Sequence, residues 1–394
     1  MILTINGGSS SLKFGLFAGP TGQDSPLPQG LGSGRVERIA QSGSQLIFGT
    51  GPWGAGAAKA VVAPDARAAI QVLLGEFSTH GLLGKIAGVG HRIVHGGNRF
   101  VQPERISPEM LAELARISPF DPNHLPGQIA LIGALTESLP NIPQIACFDT
   151  AFHQKMPEVA KRLPLPRKYH DAGVRKYGFH GLSYEYLLAE LHRLAGSALA
   201  NGRVILAHLG AGASMAAVHG GKPIDTTMAF TPAAGLVMAT RTGDIDPGIV
   251  LYLAQTEGMS AEAFNELVNK QSGLLGVSGI SGDTRDLEKL ESANPDAALA
   301  LELFCYQARK TIGSLAAALG GLDALVFSGG IGEHAPRLRR RICQGLEFLG
   351  IEFDEQANKA NTAMISGTGA KTSVWVLPTN EEVVMAKAVS RMLA

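Results

Sequence analysis

The hydrophobic pattern of the chain contains the same arrangement of apolar runs and small-residue turns in two places. Residues 2–17 and 204–218 each contain an apolar run, a turn of small residues and a second apolar run, which predicts a β-hairpin. The turns, 6–11 and 208–214, lack bulky side chains and therefore expose backbone N–H groups. Because about half the chain separates the two hairpins, we interpret them as the openings of two duplicated domains.

Helices and strands alternate around these hairpins. The pattern predicts helices at 67–83, at 128–139, from Pro295 to Gly320 and from Pro336, and strands at 86–94, 143–148 and 324–327. Residues 328–332 are predicted as a turn, and 19–34 as an irregular loop or small insertion. The alternation indicates an α/β architecture in two related halves. Ligands of open α/β sheets bind at the carboxyl ends of strands, so we expect the site in a cleft between the halves.

Composition and charge restrict the class of protein. The chain has 394 residues, too many for one ordinary hydrophobic core, so two domains are expected. Its 34 Lys and Arg residues balance 34 Asp and Glu residues, which offers no broad basic surface for nucleic acid or an anionic membrane. Scattered cysteines without a CxxC pair, no signal-peptide pattern and no apolar run of ~18 residues lead us to expect a cytoplasmic protein.

Glycine-rich turns follow three of the apolar runs, at 7–8, 210–212 and 329–332. One such turn alone is better explained as an ordinary hairpin turn. Three of them favour phosphate binding, because backbone N–H groups can surround phosphate oxygens where no side chain blocks the approach. Residues 9–13 add hydroxyl groups and a lysine beside the first turn. The pattern is not a Walker P-loop, which requires Gly-Lys-Ser/Thr after the glycine-rich turn.

A series of collinear motifs extends from residue 6 to residue 382. They are NGGSSSLK (6–13), HRIVHGG (91–97), FDTAFH (148–153), YGFHG (177–181), HLGAGAS (208–214), TRTGDIDP (240–247), SGDTR (281–285), GGIGE (329–333) and TNEE (379–382). Together they resemble the acetate kinase family of the acetate and sugar kinase/Hsp70/actin superfamily. The resemblance implies a duplicated, ribonuclease H-like α/β fold with its active site in the interdomain cleft. It also implies an N-terminal domain at 1–150 completed by a C-terminal helix at about 383–394, and a C-terminal, nucleotide-binding domain at 151–382.

The resemblance implies ATP-dependent phosphorylation of a small carboxylic acid. Attack of a carboxylate on a phosphoryl group brings two anions together, so the catalytic task is charge neutralisation and alignment. By similarity, Arg92 and Arg241 hold the carboxylate and the transferring phosphoryl group, and His180 donates to a phosphoryl oxygen in the transition state. Asp149 matches the residue often described as a proton acceptor. Because the acid is already ionised at neutral pH, we interpret Asp149 as orienting Arg92 or Arg241, or holding a magnesium-bound water.

The same resemblance implies the binding residues. Mg²⁺, with Mn²⁺ as a substitute ion, is expected at Asn6 and Glu381, directly or through water. The alkyl group of the acid is expected against Val94, Phe179 and Pro232. The residues expected around ATP or ADP are Ser9, Ser11, Lys13, His208, Leu209, Gly210, Ala211, Gly212, Asp283, Thr284, Arg285, Gly330, Ile331, Gly332, Glu333 and His334.

Four residues depart from the common pattern of the family. Ala211 stands where asparagine is usual between the two glycines, so one hydrogen bond to phosphate is missing from the expected set. His334 replaces an asparagine in the adenosine loop, and Asn98 replaces a glutamate. Asn123 introduces a polar side chain into the segment expected beside the acid. These changes bear on nucleotide affinity and on the choice of acid.

Acetate is the expected acid, and a propionate kinase or another short-chain carboxylate kinase is the near alternative. A nucleotide-gated binding protein of the same superfamily is a less favoured alternative, because kinase motifs fill the chain and leave no room for a peptide-binding domain. A sugar kinase would need several groups that read hydroxyls, whereas paired arginines suit a carboxylate. The resemblance also implies a homodimer formed through the second domain, with no nucleic acid or membrane partner.

Overall fold

The computed structural model describes residues 1–8, 10–19, 28–54 and 56–394. The chain divides into two compact units: unit 1 comprises Met1–Ala151 and Asn380–Ala394, and unit 2 comprises Phe152–Thr379. All residues of unit 2 are among those described. Of the helices in the described ranges, none is both long and apolar enough to cross a membrane.

The described part of unit 1 contains one mixed β-sheet. Its strands are β1 (Ile2–Gly7), β2 (Ser11–Phe17), β3 (Gly30–Glu37), β4 (Gln45–Phe48), β5 (Ala58–Ala60), β6 (Gly88–Ile93), β7 (Glu104–Arg105) and β8 (Gln144–Phe148). Their order across the sheet is β5-β4-β3-β2-β1-β6-β8-β7. β1, β6 and β8 are parallel neighbours, so their carboxyl ends meet at the same edge of the sheet.

Unit 2 contains a second mixed sheet. Its strands are β9 (Arg203–Leu209), β10 (Ala213–His219), β11 (Lys222–Thr226), β12 (Ala324–Ser328) and β13 (Ser373–Val376), in the order β11-β10-β9-β12-β13. The antiparallel pair β9–β10 and the parallel neighbours β12 and β13 repeat the arrangement of β1–β2 with β6 and β8. The repetition that the two hairpins predict is therefore confirmed in the topology of the two sheets.

Helices cover the faces of these sheets. In chain order they are α1 (Ala66–Thr79), α2 (Pro108–Arg116), α3 (Leu125–Ser138), α4 (Glu158–Lys161), α5 (Arg167–Asp171), α6 (Gly181–Ala200), α7 (Gly248–Glu257), α8 (Ala261–Lys270), α9 (Gly273–Ser278), α10 (Thr284–Leu290), α11 (Pro295–Leu319), α12 (Gly329–His334), α13 (Pro336–Cys343), α14 (Glu355–Lys359) and α15 (Glu381–Leu393). The predicted start of α11 is confirmed: Asn294 Oδ1 accepts from two backbone N–H groups of the first turn, at 2.9 Å each.

One predicted boundary and one predicted element are wrong for identifiable reasons. The helix predicted at 67–83 is α1, which ends at Thr79 because Gly81 adopts a left-handed backbone conformation with φ of 63°. The turn predicted at 328–332 is instead the start of a short helix, α12. A helix that begins with two glycines leaves no signal in the hydrophobic pattern.

The loop predicted at 19–34 is also partly wrong. Residues 30–34 belong to β3, which pairs with β2 and β4, whereas 20–27 lie outside the described residues. Two of the glycines in this strand lie against aromatic rings: a Cβ on Gly34 would lie 2.6 Å from the ring of Phe14, and a Cβ on Gly32 would lie 2.8 Å from the ring of Trp53. Backbone pairing, rather than burial of alternating apolar side chains, therefore defines β3.

Candidate functional site

In unit 1, polar side chains collect where the parallel strands end. Asn6 is near the end of β1, Arg92 is near the end of β6, and Asp149 follows β8 directly. Glu381 opens α15 and joins the group, because Asn6 Nδ2 donates to Glu381 Oε2 at 3.2 Å. Residues that are far apart in sequence thus form one cluster at the edge of the sheet where α/β proteins bind ligands.

The guanidinium of Arg92 is oriented by the fully buried carboxylate of Asp149. Arg92 Nε donates to Asp149 Oδ1 at 2.9 Å, and Nη2 donates to Oδ2 at 2.6 Å. Nη1 donates to Asn6 Oδ1 at 3.2 Å. A guanidinium has five N–H groups, so these bonds to described residues leave one N–H on each terminal nitrogen. Guanidinium N–H groups of this kind can bind the oxygens of a carboxylate or phosphoryl group.

Further charges surround this arginine. Glu381 Oε2 lies 3.7 Å from Arg92 Nε. Burial acts to lower the pKa of Arg92, but the charges of Asp149 and Glu381 outweigh burial and raise it above its ordinary value. Burial, assisted by the charge of Glu381, raises the pKa of Glu382. Lys13 is exposed and pairs across the sheet with Asn6. The cluster therefore combines a fixed cation with carboxylate oxygens.

In unit 2, the ends of β9 and β12 approach each other through glycines. A Cβ on Gly329, which has φ of 75°, would lie 2.7 Å from the carbonyl oxygen of Leu209. A Cβ on Gly210 would lie 3.8 Å from the backbone nitrogen of Gly330 and 4.0 Å from His208 Nε2. The absence of side chains at these glycines leaves room for a ligand to approach two backbone segments at once.

A cavity of about 640 Å³ opens beside these glycines. Its lining includes eight of the residues expected around the nucleotide: Gly210, Ala211, Asp283, Thr284, Arg285, Gly330, Ile331 and His334. Asp283 Oδ2 accepts from Arg285 Nη2 at 2.5 Å, and this hydrogen bond lowers the pKa of Asp283. The side chain of Arg285 is 82% exposed, so the pair contributes little to stability and can rearrange around a ligand.

His180 and Arg241 border the same turn of unit 2. The position that a Cβ on Gly212 would occupy is 3.5 Å from His180 Nε2 and 3.6 Å from Arg241 Nη1. Arg241 Nη1 also donates to the carbonyl oxygen of Pro232 at 3.2 Å. The geometry brings a guanidinium and an imidazole nitrogen to one point at the glycine turn 210–212, where donors can converge on a phosphoryl oxygen.

Comparison with known proteins identifies the family. The family model described as "Acetokinase family" matches residues 1–387. The chain belongs to the acetokinase family. It is 45% identical to an acetate kinase of Rhodopseudomonas palustris, over 100% of this chain and 98% of that protein. It is 46% identical to a propionate kinase of Citrobacter rodentium, over 99% of this chain and 96% of that protein.

A crystal structure of acetate kinase from Porphyromonas gingivalis has the same fold, with a TM-score of 0.89 and 38% identity, and the match covers 100% of this chain and 99% of that one. The resemblance stated from the motifs, and the α/β fold that it implies, are therefore confirmed. The acetokinase chain is a phosphotransferase of the short-chain carboxylate kinases, with ATP as the cosubstrate that the family implies.

Several residues that were expected to bind the nucleotide do not line the 640 Å³ cavity. They are Ser11 and Lys13, which belong to unit 1, and His208, Leu209, Gly212, Gly332 and Glu333 of unit 2; Ser9 lies outside the described residues. The carboxylate of Glu333 instead accepts from the backbone N–H groups of Gly329, at 2.9 Å, and Thr379, at 3.4 Å. It ties the start of α12 to the segment that follows β13.

The residues expected at the alkyl group belong to both units. In unit 1, Val94 is 5% exposed, and its backbone N–H donates to Gln128 Oε1 at 3.0 Å. In unit 2, Phe179 is buried and its carbonyl oxygen accepts from His153 Nε2 at 2.9 Å. Asn123, which the sequence places beside the acid, is exposed at the turn before α3.

Several residues of these sites were not predicted from the sequence. Gln128 anchors Val94, and the cavity also includes Ala239, Gly282, Glu288 and Ala335. Burial raises the pKa of Glu288, although the charge of Arg337 opposes this. The only signal for Gly282 was its position inside the motif at 281–285; the others lie outside the quoted motifs and become neighbours only after folding.

Ala211→Asn is expected to strengthen nucleotide binding. Ala211 is exposed at the cavity wall, so a larger side chain has space there. One hydrogen bond to a charged oxygen contributes about 1.5–3 kcal/mol at best, so we expect the Kd for ADP to fall several-fold, as measured by titration calorimetry. Ala211→Leu adds similar volume without an amide and should bring no improvement. Equal Kd values for wild type and Ala211→Asn would contradict a missing bond.

Arg339→Met is expected to destabilise unit 2. Arg339 is fully buried, and its Nη1 donates to the carbonyl oxygens of Gly332 and Glu333, at 2.8 and 3.0 Å, at the end of α12. Losing the guanidinium removes the bonds to these oxygens, of which that of Gly332 is buried, so the free energy of unfolding should fall by at least about 3 kcal/mol in urea titrations. Arg340→Gln is the matched control: this exposed arginine pairs with Glu355, and its loss should cost less than about 0.5 kcal/mol.

Proposed function

We propose that the chain is an acetate kinase, which transfers a phosphoryl group reversibly between ATP and acetate to give acetyl phosphate and ADP. The observation that supports this proposal most strongly is the orientation of the Arg92 guanidinium by Asp149. The hydrogen bonds to Asp149 and Asn6 leave one N–H on each terminal nitrogen to bind a substrate oxygen. Val94 follows on the same strand end and is fixed by its bond to Gln128. The oriented guanidinium of Arg92 can bind a carboxylate, and the small apolar side chain of Val94, two residues later, can contact a methyl group. This combination suits acetate.

The proposed chemistry uses charge rather than proton removal. Arg92 neutralises the attacking carboxylate, and Arg241 with His180 neutralises the oxygens of the phosphoryl group. Asp149 has no proton to remove from an ionised acid; its oxygens are occupied by Arg92, which supports a role in orienting that arginine. The nucleotide is proposed to occupy the cavity at Gly210 and Gly330.

The oxygen donors of unit 1 fit a magnesium ion that arrives with the nucleotide. Among the described residues, no group of three or more His, Cys, Asp or Glu side chains could hold a metal by itself. Mg²⁺ usually keeps several waters and binds one or two carboxylates together with substrate phosphates. Glu381 supplies such a carboxylate, and Asn6 bonds to it at 3.2 Å. Bound there, Mg²⁺ or Mn²⁺ would neutralise phosphate charge, while Asn6 would orient Glu381.

The decisive assay measures ADP formation with acetate, propionate, butyrate and glucose in parallel. A valine wall leaves room for a methyl group and crowds a longer chain. One methylene in an apolar pocket is worth about 1–3 kcal/mol, so kcat/KM should favour acetate over propionate by about ten- to a hundredfold. A wild type that prefers propionate would make the chain a propionate kinase, a function to which its 46% identity with such an enzyme also points. Activity with glucose alone would contradict both.

Val94→Ala should narrow or invert the preference for acetate. The change removes two methyl groups, which is enough volume for the extra carbon of propionate. The loss should fall mainly on the KM for acetate, because contact with the methyl group is similar in the ground and transition states. Val36→Ala, in the buried core of unit 1, should lower stability and leave the acid ratio unchanged. An unaltered ratio in Val94→Ala would show that another side chain limits the pocket.

We also infer that the enzyme is a homodimer formed through its second domain. The resemblance to the family supports this, and unit 2 exposes apolar side chains on α7, namely Ile249, Val250, Leu251 and Tyr252. An exposed apolar group of this kind is typical of an interface. Sedimentation analysis measures the state directly, and a monomer at micromolar concentration would contradict the inference.

A further inference from the structure

We propose that Tyr184 and Ser214 set the tautomer of His180, so that its Nε2 carries the hydrogen that is donated to the phosphoryl group. The identity of the acceptor and the direction of the hydrogen bonds rest on the proposed function; the contacts between the three side chains do not. Neither Tyr184 nor Ser214 is proposed to contact substrate, and both are positioning residues for His180.

The hydrogen bonds form a chain inside unit 2. His180 Nδ1 lies 2.8 Å from Ser214 Oγ, and Ser214 Oγ lies 2.5 Å from the hydroxyl of Tyr184. Ser214 and Tyr184 are fully buried, so water does not compete for these bonds. Tyr184 is one helical turn after His180, at the start of α6, and Ser214 is on β10. Rigid elements therefore hold both hydroxyls in place.

The ring of His180 is fixed on a second side. His208 stacks on it with ring centroids 4.3 Å apart and planes inclined by 27°. His208 Nδ1 in turn lies 2.8 Å from the hydroxyl oxygen of the buried Ser183. The backbone of His180 itself is left-handed, with φ of 58°, which is rare for a residue other than glycine. Such strain at a residue that borders a ligand turn is typical of functional positions.

The direction of the hydrogen bonds is inferred from the group that His180 Nε2 faces in the proposed function. Ser214 has one hydroxyl hydrogen, so if it receives a hydrogen from Tyr184 it can donate its own to His180 Nδ1. The neutral ring then carries its hydrogen on Nε2, the atom that borders the turn at Gly212. The opposite direction would turn a lone pair of Nε2 towards an anionic phosphoryl group. A doubly protonated ring would place a second cation beside Arg241, which also borders Gly212.

The tautomer can be measured without activity. In the ¹⁵N spectrum of the histidine-labelled full chain at pH 8, the resonances that disappear in His180→Asn belong to His180. We expect an unprotonated Nδ1 and a protonated Nε2. A protonated Nδ1, in either a neutral or a cationic ring, would overturn the proposal whether or not the chain is an acetate kinase.

Kinetics provides the second test. Tyr184→Phe and Ser214→Ala each remove a donor from the chain, so kcat should fall about three- to tenfold, as expected for one hydrogen bond, while both KM values stay within about twofold. Tyr177→Phe is the matched control, because this buried tyrosine donates instead to the carbonyl oxygen of Gly173, at 2.8 Å. An unchanged kcat in both chain variants, or an equal loss in the control, would overturn the proposal. A wild type without acid-dependent ADP formation would instead overturn the proposed function.

Discussion

Arg241→Ala is expected to lower turnover at least about a thousandfold, which corresponds to roughly 4 kcal/mol of transition-state stabilisation. The guanidinium borders the glycine turn at Gly212 together with His180, and the carbonyl oxygen of Pro232 holds one of its terminal nitrogens. Because its charge acts on the phosphoryl group during transfer, the loss should appear in kcat. The Kd for ADP, measured by calorimetry, should change much less.

Replacing Arg241 with lysine distinguishes the effect of its positive charge from the effect of the planar guanidinium. Arg241→Lys keeps a cation but loses the planar fork, so it should recover only part of the lost turnover. Near wild-type turnover in Arg241→Lys would contradict a two-point contact with the phosphoryl group. Arg193→Ala provides the control for general loss of a positive charge: this arginine is 64% exposed on α6, pairs with Glu190 and should be kinetically silent.

The sequence predicts the parts of the fold whose signal is local. Apolar runs and small-residue turns specify both hairpins, and Asn294 before a proline specifies the start of α11. β3 was not predicted because two of its glycines lie against rings that are distant in sequence: a Cβ on Gly34 would meet the ring of Phe14, and a Cβ on Gly32 would meet the ring of Trp53. Such a requirement cannot be read from the strand's own residues.

The same distinction applies to the candidate site. Motifs drew attention to Arg92 and Asp149 separately, but the hydrogen bonds between them join positions 57 residues apart and depend on the parallel pairing of β6 with β8. Ser214 ended a predicted turn and had no assigned task, whereas folding places its hydroxyl between His180 and Tyr184. Residue types and spacing therefore identify the charged groups, and tertiary contacts identify the residues that orient them.

Asp149→Asn tests whether Asp149 orients a cation or removes a proton. The carboxylate is fully buried and accepts from two nitrogens of Arg92. The amide of asparagine has one oxygen, which can accept from only one of these two nitrogens of Arg92. Its NH₂ group would face the N–H of the other nitrogen, so Arg92 should lose its fixed orientation. We expect kcat to fall at least about a hundredfold, roughly 2.7 kcal/mol, because an Arg92 that is no longer held in place aligns and neutralises the attacking carboxylate poorly.

The pH and magnesium dependence of the residual activity distinguish the two roles. An orienting Asp149 has no proton to take, so turnover of Asp149→Asn should show no rescue at high pH, and its apparent magnesium requirement should rise as the cation cluster loosens. Asp323→Asn is the matched control: this carboxylate holds Arg203 by a similar fork, with Nη2 to Oδ1 at 2.5 Å, away from the strand ends that carry the site. Its turnover should stay at the wild-type level. Activity of Asp149→Asn that recovers at high pH with an unchanged magnesium dependence would restore Asp149 as a general base.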